Sequence, residues 1–154
     1  MQEDDYTYEN LKNFTYIDMI QKEVTRLWGP VPALFMREAQ QDHYLGSIPV
    51  KKGTMVNLVQ SNHYNAAYFK DPYRFRPERW ESECKDLPPF IMGGFGYGSR
   101  SCIGKHLAYV ETKVGLIKFL KRYNKIKLMK EEYKMIVKFC YESEPFECKM
   151  EIAK

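Results

Sequence analysis

A short segment near residue 100 holds the residue types that most clearly indicate chemistry. Residues 95–104 read FGYGSRSCIG and lead directly into a helical pattern. A cysteine at the start of a helix lies near unpaired backbone N–H groups and the positive end of the helix dipole, and both favour the thiolate. The thiolate is the form of cysteine that binds metals, so Cys102 is the candidate ligand of the chain.

The residues around Cys102 suit a flat ligand. Gly96 and Gly98 permit a tight turn and a close approach of the backbone, and Gly104 leaves room against the first helical turn. Arg100 is placed to neutralise a carboxylate on the edge of such a ligand. The alternative is a buried structural cysteine, which is the common state of an isolated free cysteine. The pattern FxxGxRxCxG fixes five positions within ten and favours the ligand.

The composition predicts a single globular domain. The chain has 154 residues, 44% of them hydrophobic, with 12 Tyr and 9 Phe. The net charge of +4 is mild. Its basic residues are spread along the chain except for a cluster over residues 113–130, which we interpret as a solvated helix face. Nucleic-acid binding is therefore not expected.

The remaining cysteines and the termini give further limits. Cys84, Cys140 and Cys148 form no CxxC pair and no zinc-finger spacing with the histidines. Reduced thiols are expected, although two disulfides stay arithmetically possible. No apolar run is long enough for a membrane span, and the acidic first residues exclude a secretory signal at this end.

The first half of the chain changes from helical to extended patterns. A turn over Thr7–Leu11 precedes a helix with Thr15 as the predicted N-cap and Gly29-Pro30 as its end. A strand is predicted over Val31–Arg37, and a hairpin around the Lys52-Gly53 turn. The hairpin would pair residues 44–50 with residues 54–59, and residues 70–94 would form a long packed loop.

The second half begins with a helix predicted over Ile103–Tyr123. Its buried face should consist of Leu107, Val110, Val114, Ile117 and Leu120. Two alternating segments, residues 135–141 and 146–152, are predicted to pair as a closing hairpin through the turn at residues 142–145. The fold class is therefore α+β and mainly helical.

Two more motifs accompany the cysteine loop and carry a family resemblance. Residues 23–26 read EVTR, an ExxR pattern, and residues 77–80 read PERW. Their order and spacing with the loop resemble cytochromes P-450, where PERF is usual. The similarity covers residues 7–152 but only about the last third of a family member. It implies residues 1–154 as a partial domain: K helix, small β-sheets, meander, Cys-ligand loop, L helix and C-terminal β-hairpin.

The resemblance implies roles for individual residues. Cys102 would be the axial ligand of the iron of haem b. The implied cofactor-binding residues are Arg37, Phe95, Gly96, Arg100, Cys102, Ile103, Gly104 and Ala108, with the two arginines contacting haem propionates. Glu23, Arg26 and Arg79 would form an ion network that locks the meander against the K helix. The implied substrate-pocket residues are Val31, Ala33, Leu34, Phe35, Tyr141 and Glu142.

The same resemblance implies a function. It is a monooxygenase that inserts one oxygen atom from O2 into a small, lipophilic organic substrate, with electrons from NADPH through a flavoprotein reductase. Candidates for the reductase surface, otherwise a solvated helix face, are Lys105, Lys113, Lys118, Lys121 and Arg122. A full-length relative would lie at the endoplasmic reticulum membrane.

Two alternatives to an active enzyme stay open. No AGxxT-like segment of the family's I helix occurs in the chain, which favours a truncated product without independent activity and with exposed apolar helix stripes. A basic nucleic-acid or zinc module has only the net charge in its favour. The chain departs from the family pattern at two positions, Gly94 for Pro and Trp80 for Phe. Trp80 is expected to change only the size of one packing residue, and neither departure should affect the ligand chemistry.

Overall fold

The computed structural model describes residues 7–29, 31, 36–57, 61–88, 90–130, 134–137 and 140–153. Its helices are α1 (Tyr8–Leu11), α2 (Thr15–Trp28) and α3 (Lys105–Arg122), and 3-10 turns cover Ser61–Tyr64, Pro77–Trp80 and Gly98–Arg100. Its strands are β1 (Met36–Glu38), β2 (His43–Leu45), β3 (Ile48–Val50), β4 (Met55–Asn57), β5 (Tyr123–Leu128), β6 (Met135–Val137), β7 (Tyr141–Ser143) and β8 (Cys148–Ile152). The predicted α+β class is confirmed.

Helix α2 starts differently from its prediction. Thr15 is already helical, so its assignment as the N-cap is wrong. Phe14 is the N-cap, and its carbonyl accepts the N–H groups of Ile17 at 3.2 Å and Asp18 at 3.3 Å. The side chain of Phe14 packs against the buried cluster of Leu11, Ile17 and Ile117. We infer that this apolar contact fixes the entry of the chain, because Phe14 provides no side-chain capping bond.

The three helices share one small core. It is built on Leu11, Ile17 and Ile117, one residue from each helix. Of the predicted buried face of α3, Ile117 is buried and Val110 and Val114 are half-buried. Leu107 and Leu120 are exposed, so the prediction is wrong for these two ends of the face. Helix α3 contacts the rest of the described chain on a narrower stripe than its sequence pattern indicates.

The predicted long loop is packed around a second core. Phe69, Cys84 and Ile91 are buried together, and Trp80, Leu87 and Met92 pack against them. The loop therefore has its own apolar core. In the sequence, this loop follows α2 and precedes the cysteine segment. None of the described helices combines the length and apolar character that crossing a membrane requires.

The first strands pair in a different order from the prediction. Strand β2 pairs with β3 through a turn at Gly46, which has φ +60°, so the hairpin predicted at Lys52-Gly53 is wrong. Strand β4 instead pairs with β1, with Met36 opposite Asn57. Gly53, with φ +83°, turns the chain back and donates its N–H to Ala39 O at 2.7 Å. The strand predicted from residue 31 lies partly outside the described residues.

The C-terminal strands also pair unexpectedly. Strand β6 pairs with β7, while β8 pairs with β5. The predicted pairing of residues 135–141 with 146–152 is therefore wrong. Strand β5 follows α3 directly and was not predicted. Its alternating pattern is weak, because only Ile126 and Leu128 alternate with its lysines. Lys125 and Glu151 form an ion pair of 2.8 Å across β5 and β8, and Ala153 N donates to Arg122 O at 3.0 Å.

Candidate functional site

Cys102 is the last residue of a closed loop that precedes α3. Its N–H donates to Phe95 O at 2.7 Å, which closes the loop, and its thiol is free and exposed. Gly96 and Gly98 turn the chain with φ +73° and +60°, conformations that favour glycine. Gly104 is the N-cap of α3, and its carbonyl accepts the N–H of Ala108 at 2.9 Å. The sequence therefore folds locally so that the sulfur projects outward before the first helical turn.

The surface beside the sulfur is open and apolar. Ile103 is fully exposed and Leu107 is 61% exposed. A Cβ added to Gly104 would meet only Cys102 Sγ among the described atoms within 4 Å, at 3.8 Å. A thiol on an open apolar surface fits a flat, mainly apolar ligand that carries a soft metal. The residues present therefore fit haem.

The other predicted cofactor residues occupy two regions. Phe95 and Ala108 are half-buried, and the Phe95 ring packs against Tyr109 with centroids 5.1 Å apart. Arg100 ends the 3-10 turn of the loop and is exposed. Arg37 lies on β1, is exposed and donates from Nη1 to Met36 O at 2.9 Å. The propionate roles of the two arginines stay predictions.

Glu23 is the centre of a fully buried ion network. Its exposed fraction is 0%, as is that of Arg79, and that of Arg26 is 1%. Oε1 accepts from Arg26 Nη2 at 2.8 Å, Arg79 Nε at 3.0 Å and the Arg76 backbone N–H at 3.0 Å. Oε2 accepts from Arg26 Nε at 3.0 Å and Trp80 Nε1 at 2.9 Å. A buried carboxylate needs such partners to stay charged, and the structure brings the three predicted network residues together.

The two arginines of the network also hold the backbone of the loop. Arg26 donates to the carbonyls of His63, Pro72 and Arg74 at 2.8, 2.6 and 3.2 Å. Arg79 donates to the carbonyls of Lys70, Asp71 and Arg74 at 2.7, 3.3 and 3.3 Å. The two buried guanidinium groups thus bind five backbone carbonyls between His63 and Arg74, so the network holds the path of the loop over residues 63–74.

The surroundings of Glu23 shift its pKa through two opposing effects. Burial by itself raises the pKa of Glu23, because it disfavours the charged form. The hydrogen bond from Arg26, the backbone hydrogen bond from Arg76 and the charges of Arg26 and Arg79 outweigh burial, so the pKa of Glu23 is lowered. The partners of Glu23 therefore favour its charged form.

Trp80 does more than fill space in this network. Its indole N–H is one of the donors to Glu23, which a phenylalanine could not provide. Its ring also packs against Phe69, 6.1 Å between centroids, and Lys22 Nζ lies 5.8 Å from its centroid. The expectation that this departure changes only the size of a packing residue is therefore wrong.

Lys113 is not on the predicted partner surface. Its side chain is buried and donates to Leu11 O at 2.7 Å and Asp18 Oδ1 at 2.6 Å. The assignment is wrong because α3 turns this position toward α1 and α2, where a carbonyl and a carboxylate satisfy the ammonium group. Of the other candidates, Lys121 is half-buried, whereas Lys105, Lys118 and Arg122 are exposed.

His63 is a buried titratable group that the sequence did not single out. It is 4% exposed, and its Nε2 has no hydrogen-bond partner among the described residues. Burial lowers the pKa of His63, and the Arg26 charge lowers it further against an opposing hydrogen bond with Arg26. The surroundings of His63 therefore disfavour its protonated form. Nothing in its sequence context indicates burial, since its neighbours are polar or aromatic.

The predicted substrate-pocket residues are only partly described. Val31 is half-buried and Glu142 is exposed on β7, opposite Ile136 of β6. Tyr141 begins β7, and its side chain lies outside the description, as do Ala33, Leu34 and Phe35. Their substrate role stays a prediction. Within the described ranges, no group of three or more His, Cys, Asp or Glu side chains could hold a metal ion.

Comparisons with known proteins agree with this geometry. Residues 1–150 match the family model described as Cytochrome P450. Cytochrome P450 3A31 of Mesocricetus auratus is 34% identical over 120 residues, which cover 77% of this chain and 24% of that protein. Probable cytochrome P450 4d20 of Drosophila melanogaster is 36% identical over 139 residues, 89% of this chain and 27% of that protein.

Solved structures give the same result. The retinoic acid bound cyanobacterial CYP120A1 is 28% identical with a TM-score of 0.88, and the match covers 96% of this chain and 34% of that one. The cytochrome P450DA heme domain is 26% identical with a TM-score of 0.86 over 96% of this chain and 33% of its own. The chain thus spans about a quarter of the length of the curated relatives it matches and a third of the solved chains. Because the family model matches nearly the whole chain, this protein belongs to the cytochrome P450 family.

Proposed function

We propose that this chain provides the thiolate side of the haem site of a monooxygenase. The supporting observation is the free, exposed thiol of Cys102 on an open apolar surface before α3. The proposed domain is residues 1–154, forming part of the P450 fold. The residues that would hold haem b are Arg37, Phe95, Gly96, Arg100, Cys102, Ile103, Gly104 and Ala108. When bound, the haem would supply activation of O2 for insertion of one oxygen atom into a small, lipophilic organic substrate.

Each part of the chain would have a separate task in this site. Cys102 would bind the iron through its sulfur. Ile103 and Leu107, which are exposed, would contact the apolar face of the ligand and exclude water from it. Arg37 and Arg100 would neutralise the propionates. The network around Glu23 would keep the preceding loop in place, so that the ligand loop meets α3 at a fixed position.

We extend the proposal to the electron donor. Electrons would come from NADPH through a flavoprotein reductase that docks on the exposed cations Lys105, Lys118 and Arg122. Complementary charge accelerates such an encounter and makes it sensitive to salt. We expect Lys118→Ala to slow reduction at low ionic strength, whereas Lys51→Ala, also exposed but paired with Asp42, should not. Equal rates for both variants would remove Lys118 from the docking surface. The full-length protein would lie at the endoplasmic reticulum membrane.

The decisive test of the site is the carbon-monoxide difference spectrum of the reduced, haem-loaded protein. We expect the thiolate-type Soret band for the native chain and its complete loss for Cys102→Ala. Cys148→Ala, which removes a half-buried cysteine of β8, is the matched control and should keep the band. A native protein without the thiolate-type band, or an unchanged band in Cys102→Ala, would contradict the proposal.

The second candidate is a haem-binding chain without independent monooxygenase activity. The observation that favours it is the exposure of apolar side chains, Ile103 just before α3 and Leu107 and Leu120 on it, which a stable active enzyme would cover. Product formation from a panel of lipophilic substrates, measured with reductase and NADPH present, separates the two. A thiolate-type spectrum without any turnover would support the second candidate.

A further inference from the structure

Two adjacent glycines mark the point where the cysteine loop begins. A Cβ added to Gly93 would lie 2.5 Å from both Cε2 and Oη of Tyr97. Real Cβ atoms do not come this close to other heavy atoms, so the Tyr97 ring rests directly on the backbone of Gly93. The residue that follows the pair is Phe95, whose carbonyl receives the N–H of Cys102.

Tyr97 is held in this position at both ends. Its hydroxyl donates to Phe90 O at 2.6 Å, and its ring meets the Phe90 ring edge-on with centroids 5.2 Å apart. Phe90 is next to the buried Ile91, so the far end of the contact is attached to the second core. The positive φ angles of Gly96 and Gly98 let the chain turn around Tyr97 and direct its ring backward.

Gly94 meets a second side chain from the opposite direction. A Cβ added there would overlap Cγ2 of Thr25. Thr25 lies on α2 within the ExxR motif, and its hydroxyl donates to Gln21 O at 2.8 Å, which fixes the orientation of the methyl group. Proline, the residue common in the family at this position, also carries a Cβ and would collide with this methyl group.

We propose that Gly93 and Gly94 form a clamp point where Tyr97 and Thr25 hold the cysteine loop, which makes these two side chains positioning residues for Cys102. The inference rests on the proposed binding of haem by Cys102. The physical basis is a direct connection through the backbone. A shift of residues 93–94 moves the carbonyl of Phe95, which accepts a hydrogen bond from the Cys102 N–H at 2.7 Å. The clamp also links the loop to α2, the helix that carries Glu23 and Arg26.

The first test is a pair of rescue experiments on the haem-loaded protein. Gly93→Ala and Gly94→Ala should each lower the thiolate-type fraction of the carbon-monoxide complex several-fold, because the new Cβ displaces Tyr97 or Thr25. Thr25→Ser removes only the colliding methyl group and should restore the spectrum of Gly94→Ala. Tyr97→Ala should itself lower the fraction, and adding Gly93→Ala to it should cause no further loss. Gly115→Ala, at a helical glycine with open space around it, is the control and should be neutral.

The second test does not involve haem. Amide hydrogen exchange of Cys102, protected by its bond to Phe95 O, should become several-fold faster in Gly93→Ala and Gly94→Ala. The amide of Cys84, which donates to Arg79 O at 2.8 Å in the second core, should stay protected in the same samples and so report that the fold is intact.

The outcomes separate the clamp from the proposed function. A native protein that never shows the thiolate-type spectrum would contradict haem binding, while the exchange of the Cys102 amide would still decide the clamp. Native spectra and exchange rates in both alanine variants would overturn the clamp, as would failure of Thr25→Ser to rescue Gly94→Ala. Loss of Cys84 protection together with that of Cys102 would also overturn it, since the glycines would then serve the whole fold.

Discussion

The network around Glu23 and the loop around Cys102 differ in the solvent exposure and hydrogen bonding of their functional side chains. Glu23, Arg26 and Arg79 are almost completely excluded from solvent, and the two oxygens of Glu23 accept bonds from three neighbouring side chains. In the loop, Cys102 and Arg100 are exposed and point their functional groups outward. Yet both regions contact the same helix, α2: Glu23 and Arg26 belong to it, and Thr25 between them touches Gly94.

The difference predicts that the network stabilises the fold and that the loop binds the ligand. A buried charge network that satisfies itself has no capacity left for a ligand, and removal of one member leaves others unpaired. A loop with satisfied backbone groups and free side chains contributes little to stability and keeps its chemistry available. The comparison therefore predicts that substitutions in the network change the free energy of unfolding, whereas substitutions of the outward groups change the ligand spectrum.

The largest effect is expected for Glu23→Gln. Neutral glutamine leaves the buried guanidinium groups of Arg26 and Arg79 without their counter-ion, which should cost about 3–5 kcal/mol in the free energy of unfolding. Urea denaturation followed by circular dichroism measures it. Glu78→Gln is the control, because Glu78 is exposed and bonds to Tyr16 at 2.7 Å, and its loss should be far smaller. Equal losses would mean that the network is not the stabilising centre.

Trp80→Phe should have the next largest effect. It keeps an aromatic ring beside Phe69 but removes the N–H that donates to Glu23 Oε2 at 2.9 Å. A hydrogen bond to a charged group contributes about 1.5–3 kcal/mol, so the midpoint of urea denaturation should fall accordingly. In the Glu23→Gln background the same substitution should cost clearly less. Additive losses in this double-mutant cycle would show that Trp80 acts through packing alone.

Lowering the pH should reduce the free energy of unfolding in two stages, the first through His63 and the second through Glu23. The pKa of His63 is lowered from its ordinary value of 6.5, so below this pH the unfolded chain binds the proton before the folded one, and stability falls by at most about 1.4 kcal/mol per pH unit. The pKa of Glu23 is lowered from 4.5, so its contribution is complete above this value and is lost as the pH falls through the lower folded value.

Histidine substitutions separate the two stages. His63→Gln should remove the first stage, seen as a flatter profile of unfolding free energy against pH just below 6.5. His106→Gln, at an exposed position on α3, is the matched control for the loss of a histidine. A native profile that is flat until the pH reaches the range of Glu23 would contradict the assignment to His63.

The smallest effect on stability is expected for Cys102→Ser. The thiol is exposed, so the free energy of unfolding should change by no more than about 0.5 kcal/mol, while the thiolate-type spectrum should disappear. The same denaturation and carbon-monoxide measurements on one sample check both. A loss of several kcal/mol would mean that the loop stabilises the fold as the network does, and the comparison would fail.

Several features could be predicted because they are encoded within a few residues. The existence of helix α2 and the position of Cys102 before α3 follow from local spacing, and the ExxR pattern places Glu23 and Arg26 one helical turn apart. Strand pairing could not be predicted, since β5 and β8 are separated by about 20 residues and several partners satisfy the same alternation. The sequence likewise gave no sign that Trp80 donates to Glu23, because that contact joins residues far apart in the chain.

The amino-acid sequence was sufficient to predict the family, a candidate ligand residue and the composition of the network, because motifs with fixed spacing specify local backbone and residue chemistry. Only the tertiary structure showed that Lys113 is buried and paired with Asp18, that His63 is buried beside Arg26, and that Tyr97 and Thr25 contact two glycines. The physical reason is that burial and close contact depend on which segments distant in the sequence pack together, and a local sequence pattern does not specify this packing.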